Sequence, residues 1–231
     1  RGDAFYYTGG LVAVHATSRS REAIFDALAR REVYGTSGPR IQLWFDALDA
    51  EGRRHPMGSG IPATAGLRFR VRASGAQEER PGCPASVRER LGAARTTSLC
   101  LDECHDPSER RTPLDRIEVV RIRPGLAPAE AIDDPWRVFP CAHDQEGCQV
   151  EFADPEPPEG DYLYYVRAIQ IPTDAINGDP LSCERDAEGR CLRAELCIAE
   201  GYDAPVPEAC RAPIGERAWS SPIFVEAGAR S

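Results

Sequence analysis

The chain has 231 residues, enough for one large domain or two modest ones and for a hydrophobic core that needs no cross-links. Its 37 acidic and 28 basic residues leave a net charge of −9, which argues against the basic footprint of a non-specific nucleic-acid binder. Every basic residue is Arg, so a Schiff-base or Walker lysine is excluded, and no run of about 18 apolar residues is present to cross a membrane.

In chain order, Gly9-Gly10 precedes a short apolar run, Leu11 to Ala16, that reads as a buried strand carrying His15. Ser18 or Ser20 is placed to cap a helix from about 21 to 31. Ala23, Ile24, Ala27 and Leu28 fall on one stripe of that helix, with Glu22 in its first turn and Arg30 and Arg31 in its last. A turn is expected at Gly35-Thr36-Ser37-Gly38-Pro39, then a strand at Ile41 to Phe45. Residues 1–46 therefore read as a strand–helix–strand α/β element.

From residue 47 to 231 the grammar is that of short strands. Leu67, Phe69 and Val71 alternate with Arg68, Arg70 and Arg72, and further strands are expected at Ile117 to Ile122 and Val150 to Phe152. Tyr162 to Ile171 is the richest in β-formers, and Trp219 to Val225 is the last. The expected fold is mixed: an α/β piece followed by an antiparallel β-sandwich. Its loops at 76–113 and 172–216 are long and hold seven of the nine cysteines, which calls for staples. Asp154 to Gly160 is a stiff, acidic, Pro-rich connector.

The cysteines are Cys83, Cys100, Cys104, Cys141, Cys148, Cys183, Cys191, Cys197 and Cys210. The spacings favour local disulfides Cys141–Cys148, Cys183–Cys191 and Cys197–Cys210, with Cys83 pairing either Cys100 or Cys104. An odd count leaves at least one thiol over. Disulfides imply an oxidising compartment, so a periplasmic or extracellular location is expected. Zinc is the competing reading of Cys100-x-x-x-Cys104-His105, but no second close pair completes a structural site. The chain starts at Arg1 without a signal-peptide pattern, and is expected to be a mature product or a piece of something longer.

Three phrases carry a family resemblance: Gly10 to His15, then Arg21 to Leu28, then Arg31-Glu32-Val33-Tyr34-Gly35-Thr36-Ser37-Gly38-Pro39-Arg40-Ile41. Arg217-Ala218-Trp219-Ser220-Ser221-Pro222-Ile223 and Tyr164-Tyr165-Val166-Arg167 support it. Together they resemble the C-terminal region of the domain of unknown function three-six-zero-four. That family is regarded as similar to the polymerase-and-histidinol-phosphatase (PHP) metal-dependent phosphoesterases. The resemblance implies that residues 1–46 end a β/α barrel and that 47–231 form an appended, Cys-rich β-sandwich. It further implies a divalent metal in the full-length protein, the upstream barrel as partner, and a small phosphoester as substrate. No metal ligand is assigned in this chain, and no cofactor is expected in it alone. Its four histidines, His15, His55, His105 and His143, lie far apart, and the family's metal-binding phrases would lie upstream. The chain alone is therefore expected to be inactive.

Within this frame His15, at the end of a barrel strand, is a candidate catalytic residue for binding metal or a phosphate oxygen. Arg40 is the second candidate, its guanidinium suited to clamping a phosphate or carboxylate. Thr36 and Ser37 are candidate substrate-binding residues, because the hydroxyls and amides of such a turn suit anions. The bland readings are a hydrogen-bonded structural His15, an Arg40 ion pair to Glu22 or Glu32, and turn-forming roles for Thr36 and Ser37. Asp102, Glu103, Asp106 and Glu109 around His105 lack calcium-loop spacing and read as a solvated acidic loop. The rival from another class is a secreted, non-catalytic β-sandwich module that binds a protein or polysaccharide.

Overall fold

The computed structural model describes residues 9–63, 67–101, 104–155, 160–176, 182–195 and 211–227. Among them the chain is mostly β-sheet with few, short helices. No described helix is long and apolar enough to cross a membrane.

The first elements are β1 (Leu11–Val14), α1 (Arg21–Ala29), β2 (Val33–Thr36), β3 (Gln42–Leu48), β4 (Arg54–Pro56), β5 (Gly60–Pro62), β6 (Arg68–Ser74) and β7 (Gln77–Glu79). Then follow α2 (Ala85–Leu91), α3 (Ala93–Cys100), β8 (Pro107–Arg111), β9 (Leu114–Ile122), α4 (Pro128–Ala131), β10 (Ile132–Pro140) and β11 (Cys148–Ala153). The last are β12 (Tyr162–Gln170), β13 (Thr173–Ile176), β14 (Ser182–Arg185), β15 (Cys191–Glu195), β16 (Arg211–Ile214), β17 (Arg217–Ser220) and β18 (Ile223–Glu226).

Two sheets stack in a sandwich-like arrangement. The larger runs β1-β2-β17-β12-β18-β5, with β9 on the other side of β12 and β10 beyond it; the smaller runs β11-β6-β3-β4. Alternation decides which face is inside. On β6 the side chains of Phe69, Val71 and Ala73 are buried while Arg68 and Arg72 are exposed, and on β3 Leu43, Phe45 and Ala47 are buried. Phe69 sits at the centre: its ring stacks on Phe45 at 5.7 Å and Phe152 at 5.1 Å, and meets Tyr164 of the other sheet at 4.7 Å. Trp136 packs edge-on against Phe152 and Tyr164. These aromatics fill the core, as aromatic geometry favours.

The expected strands at 67–71, 117–122, 150–152 and 162–171 correspond to β6, β9, β11 and β12. The strand expected across 219–225 is two strands, because Pro222 has no N–H to donate. Both halves line the same edge of β12, with Trp219 opposite Arg167 and Ile223 opposite Tyr164. The regions expected as long loops hold further elements: residues 76–113 hold β7, α2, α3 and β8, and residues 172–216 hold two antiparallel pairs, β13 with β16 and β14 with β15.

The front differs most from the expectation. Ser20 caps α1, its Oγ accepting from the Ala23 amide at 3.2 Å. The helix ends at Ala29, because Arg31 turns left-handed at φ 62°. The chain then reverses into β2, which takes in Gly35 and Thr36 of the expected turn and leaves residues 37–39 as a bend, and the His15 amide donates to Glu32 O at 2.9 Å. β1 and β2 are consequently antiparallel, Leu11 opposite Thr36 and Val14 opposite Val33, and not the parallel unit of a β/α barrel. Strands from residues 9–46 are hydrogen-bonded into both sheets: β2 pairs β17, and β3 pairs β6. Of the expected apolar stripe on α1, Ala23, Ile24, Ala27 and Leu28, only Ala27 is buried; Ile24 and Leu28 are exposed, as is Phe25 beside them.

Among the described residues two disulfides are formed, Cys83–Cys104 and Cys141–Cys148. The first resolves the choice for Cys83; the second ties the end of β10 to the start of β11. Cys100 is free. The proposed Cys183–Cys191 and Cys197–Cys210 pairings rest on side chains outside the described residues.

Candidate functional site

The β2–β3 loop, the Ala76–Glu79 segment, His105 and the ends of β12 and β13 surround a cleft of about 480 Å³. Arg40 stands on its rim and is exposed. Its Nη1 donates to His105 Nε2, so the ring carries its proton on Nδ1, which donates to Glu79 Oε1 at 2.6 Å. The other Glu79 oxygen accepts the Asp106 amide at 2.9 Å. Asp106 in turn pairs with Arg80 at 2.7 Å, and that hydrogen bond holds its carboxyl below the usual carboxylate range. The result is a directed chain, Arg40 to His105 to Glu79. The Cys83–Cys104 disulfide pins the segment that delivers His105, and the Cys104 amide donates to Gly82 O at 3.1 Å. The expected Arg40 pair with Glu22 or Glu32 does not form: Glu32 binds Arg30 at 2.7 Å instead.

At the base of the cleft lies Gln170, 2% exposed. Its Oε1 accepts the Ala76 amide at 2.8 Å. Leu11, Pro39 and Ala76 give the cleft an apolar side.

Thr36 and Ser37 are turned to the backbone. Thr36 is buried, and its Oγ1 accepts the Gly38 amide at 3.3 Å. Ser37 Oγ donates to Glu216 and accepts the Arg217 amide at 2.9 Å, while the Ser37 amide donates to Arg217 O at 3.0 Å. Both residues tie β2 to the C-terminal strands, and neither lines the cleft.

His15 lies elsewhere. Its Nε2 donates to Leu43 O at 2.9 Å, and its ring packs against Tyr34 and Trp44 at 5.4 and 5.8 Å. Burial pushes the Tyr34 hydroxyl pKa up, and that hydroxyl donates to Ile41 O at 3.0 Å. His15 borders a second, smaller cavity of about 250 Å³ with Glu32, Asp46 and Arg54. The structure thus does not bring His15 and Arg40 into one cavity.

The other histidines face carboxylates: His55 Nε2 meets Asp49 at 3.1 Å and His143 Nε2 meets Asp115 at 3.2 Å. Among the described residues no group of three His, Cys, Asp or Glu side chains is placed to hold a metal ion. Catalytic zinc sites characteristically have three protein ligands and an open position, and the described donors do not assemble such a set. The sequence reading considered His105 only in a zinc motif and an acidic loop and did not single out Glu79 or Gln170, because their partners are 65, 26 and 94 residues away.

The sequence model of a family described as "Protein of unknown function (DUF3604)" matches residues 2–51. This stretch is similar to that uncharacterised domain; the match does not reach the supporting phrases at 164–167 and 217–223. No curated protein and no solved structure matches the chain.

Proposed function

We propose that this chain is the non-catalytic C-terminal part of a larger, PHP-like metal-dependent hydrolase acting on a phosphoester. Its role is to dock against, and complete, the upstream portion of the same protein. The observation that carries the reading is the unpartnered apolar face of the front. Among the described residues β1 is the last strand of its sheet, with Val12 67% exposed, and α1 presents Phe25 at 68% together with Ile24 and Leu28. Exposed large apolar side chains gathered on neighbouring elements are the kind of surface that binds a partner. All of it falls within the family-matched residues 2–51, so the upstream part of that family's protein is the occupant the match favours. The two disulfides are compatible with a secreted or extracellular setting.

The test is the metal content and p-nitrophenyl phosphate turnover of the purified chain, alone and within the longer coding sequence. The expected result is no stoichiometric metal and no turnover alone. The longer protein should turn over, and Phe25→Glu should weaken it. About one equivalent of bound metal and turnover in the chain alone, lost in His15→Ala, would overturn the reading. The rival, a free-standing binding module, predicts instead that no phosphoesterase activity accompanies the upstream sequence.

A further inference from the structure

We infer that the cleft between Arg40 and Gln170 is a binding site for a small molecule with an oxyanion head, a carboxylate or a phosphate monoester, and a compact apolar body. The inference stands independently of the hydrolase reading. Two donors carry it. Arg40 has no carboxylate partner among the described residues, and only one of its nitrogens is engaged, with His105. A guanidinium presents its donors in a planar fork that matches two oxygens of a carboxylate or phosphate. Gln170 is the second donor. It is 98% buried as the complement of its 2% exposure, and its Oε1 is used by Ala76. Its Nε2 has no protein partner among the described residues. Nε2 is not among the described polar atoms that are sealed from solvent without a partner; it meets solvent where the residue lines the cleft, and a ligand oxygen there could accept from it.

The two carboxylates that line the cleft are each engaged by other groups. Glu79 has both oxygens occupied, by His105 and the Asp106 amide, and Glu78 pairs with Arg110 at 3.4 Å. His105 accepts from Arg40 and holds the guanidinium at the rim. The volume, about 480 Å³, lies in the range of small-molecule sites, about 300–1,000 Å³, and exceeds what a bare ion fills. Leu11, Pro39 and Ala76 supply the surface for the apolar body.

The experiment is a ¹⁵N NMR titration of the oxidised chain with phenyl phosphate, with phenylacetate, and with neutral phenethyl alcohol. Saturable shifts at the Gly38 and Ala76 amides and the Gln170 side-chain NH₂ are expected with at least one anion and not with the alcohol. Binding of the phosphate alone, or of the carboxylate alone, identifies the head group and supports the site. Arg40→Gln alters an exposed side chain, and Gln170→Glu keeps the acceptor for Ala76 while replacing the free donor. Each should weaken anion binding about tenfold or more, the scale of one charge-assisted hydrogen bond. No saturable binding of either anion, equal binding of the alcohol, or unchanged affinity in both variants overturns the inference.

Discussion

Removing the Cys83–Cys104 disulfide tests how the cleft is held, because the bond immediately precedes His105. The perturbation is Cys83→Ser with Cys104→Ser, made in a Cys100→Ser background so that the free thiol cannot exchange. The bond closes a loop with a sequence separation of 21, and Cys141–Cys148 one of 7. The chain-entropy relation then assigns about 3.4 kcal/mol to the first and about 2.5 kcal/mol to the second, a gap of about 0.9 kcal/mol. For a chain of this size the larger loss lowers the melting temperature by about 7–13 °C. The shorter loop is a suitable control because its ends are fixed by other means. The Cys141 amide donates to Asp115 O at 2.9 Å, and Cys148 is in register with Ala73. Guanidinium unfolding followed by tryptophan fluorescence gives both values. In the Cys83/Cys104 variant the Glu79–His105 contact should also loosen, seen as faster amide exchange at Asp106, which donates to Glu79. A loss below about 1 kcal/mol, or a larger loss from the Cys141–Cys148 pair, would refute the assignment of the longer staple as the dominant one.

Phe69→Ala should destabilise the chain by about 3–5 kcal/mol, since it empties a fully buried site that contacts Phe45, Phe152 and Tyr164. The denaturation midpoint reads this directly, and a loss under about 2 kcal/mol would contradict face-to-face packing of the sheets through this ring. Stability should also fall in acid. Asp49 is held below its ordinary value of 3.8 chiefly by its hydrogen bond to His55, and Asp106 by its bond to Arg80. Depressed carboxyls stabilise the fold above the unfolded-state value and lose that contribution as the pH drops through about 4 and below. Unfolding midpoints measured from pH 6 to 3 should show the decline, and it should be shallower in Asp49→Asn combined with Asp106→Asn; an unchanged slope contradicts these two pairs as its source.

What the sequence revealed and what it hid follow from the range of the interactions. β6 was legible because its alternation of Arg with Phe and Val is a local pattern, and the buried face it predicts is the one that packs. The Ser20 cap and the Cys141–Cys148 staple were legible for the same reason, each lying within one short segment. β2 was hidden because Gly35 to Pro39 carries turn formers. It becomes a strand through pairing with β17, which sets Gly35 opposite Trp219 far along the chain. The choice of partner for Cys83 was likewise not local. Cys100 closes α3, and Leu101 then turns left-handed at φ 49°, so it is Cys104 that returns to Gly82 and Cys83.

The front carries the same lesson about function. Periodicity identified an apolar stripe on α1, and a stripe is ordinarily assigned to the core. The stripe is real, but the chain buries only Ala27 of it. A periodic pattern fixes which residues share a face; it does not say whether the covering surface lies in the same stretch of sequence. On β6 the covering surface is the other sheet of this chain. On α1 and β1 no described residue of this chain covers it, and these residues fall within the stretch that the uncharacterised family's model matches. The cleft is the converse case. Arg40 was singled out by its turn, but its role depends on His105 and Gln170, which only the folded sheets bring to it. Anion binding at that cleft and docking at the α1 face use separate side chains. Arg40→Gln should therefore weaken the first, about tenfold or more, without touching the second, and Phe25→Glu should weaken the second without touching the first.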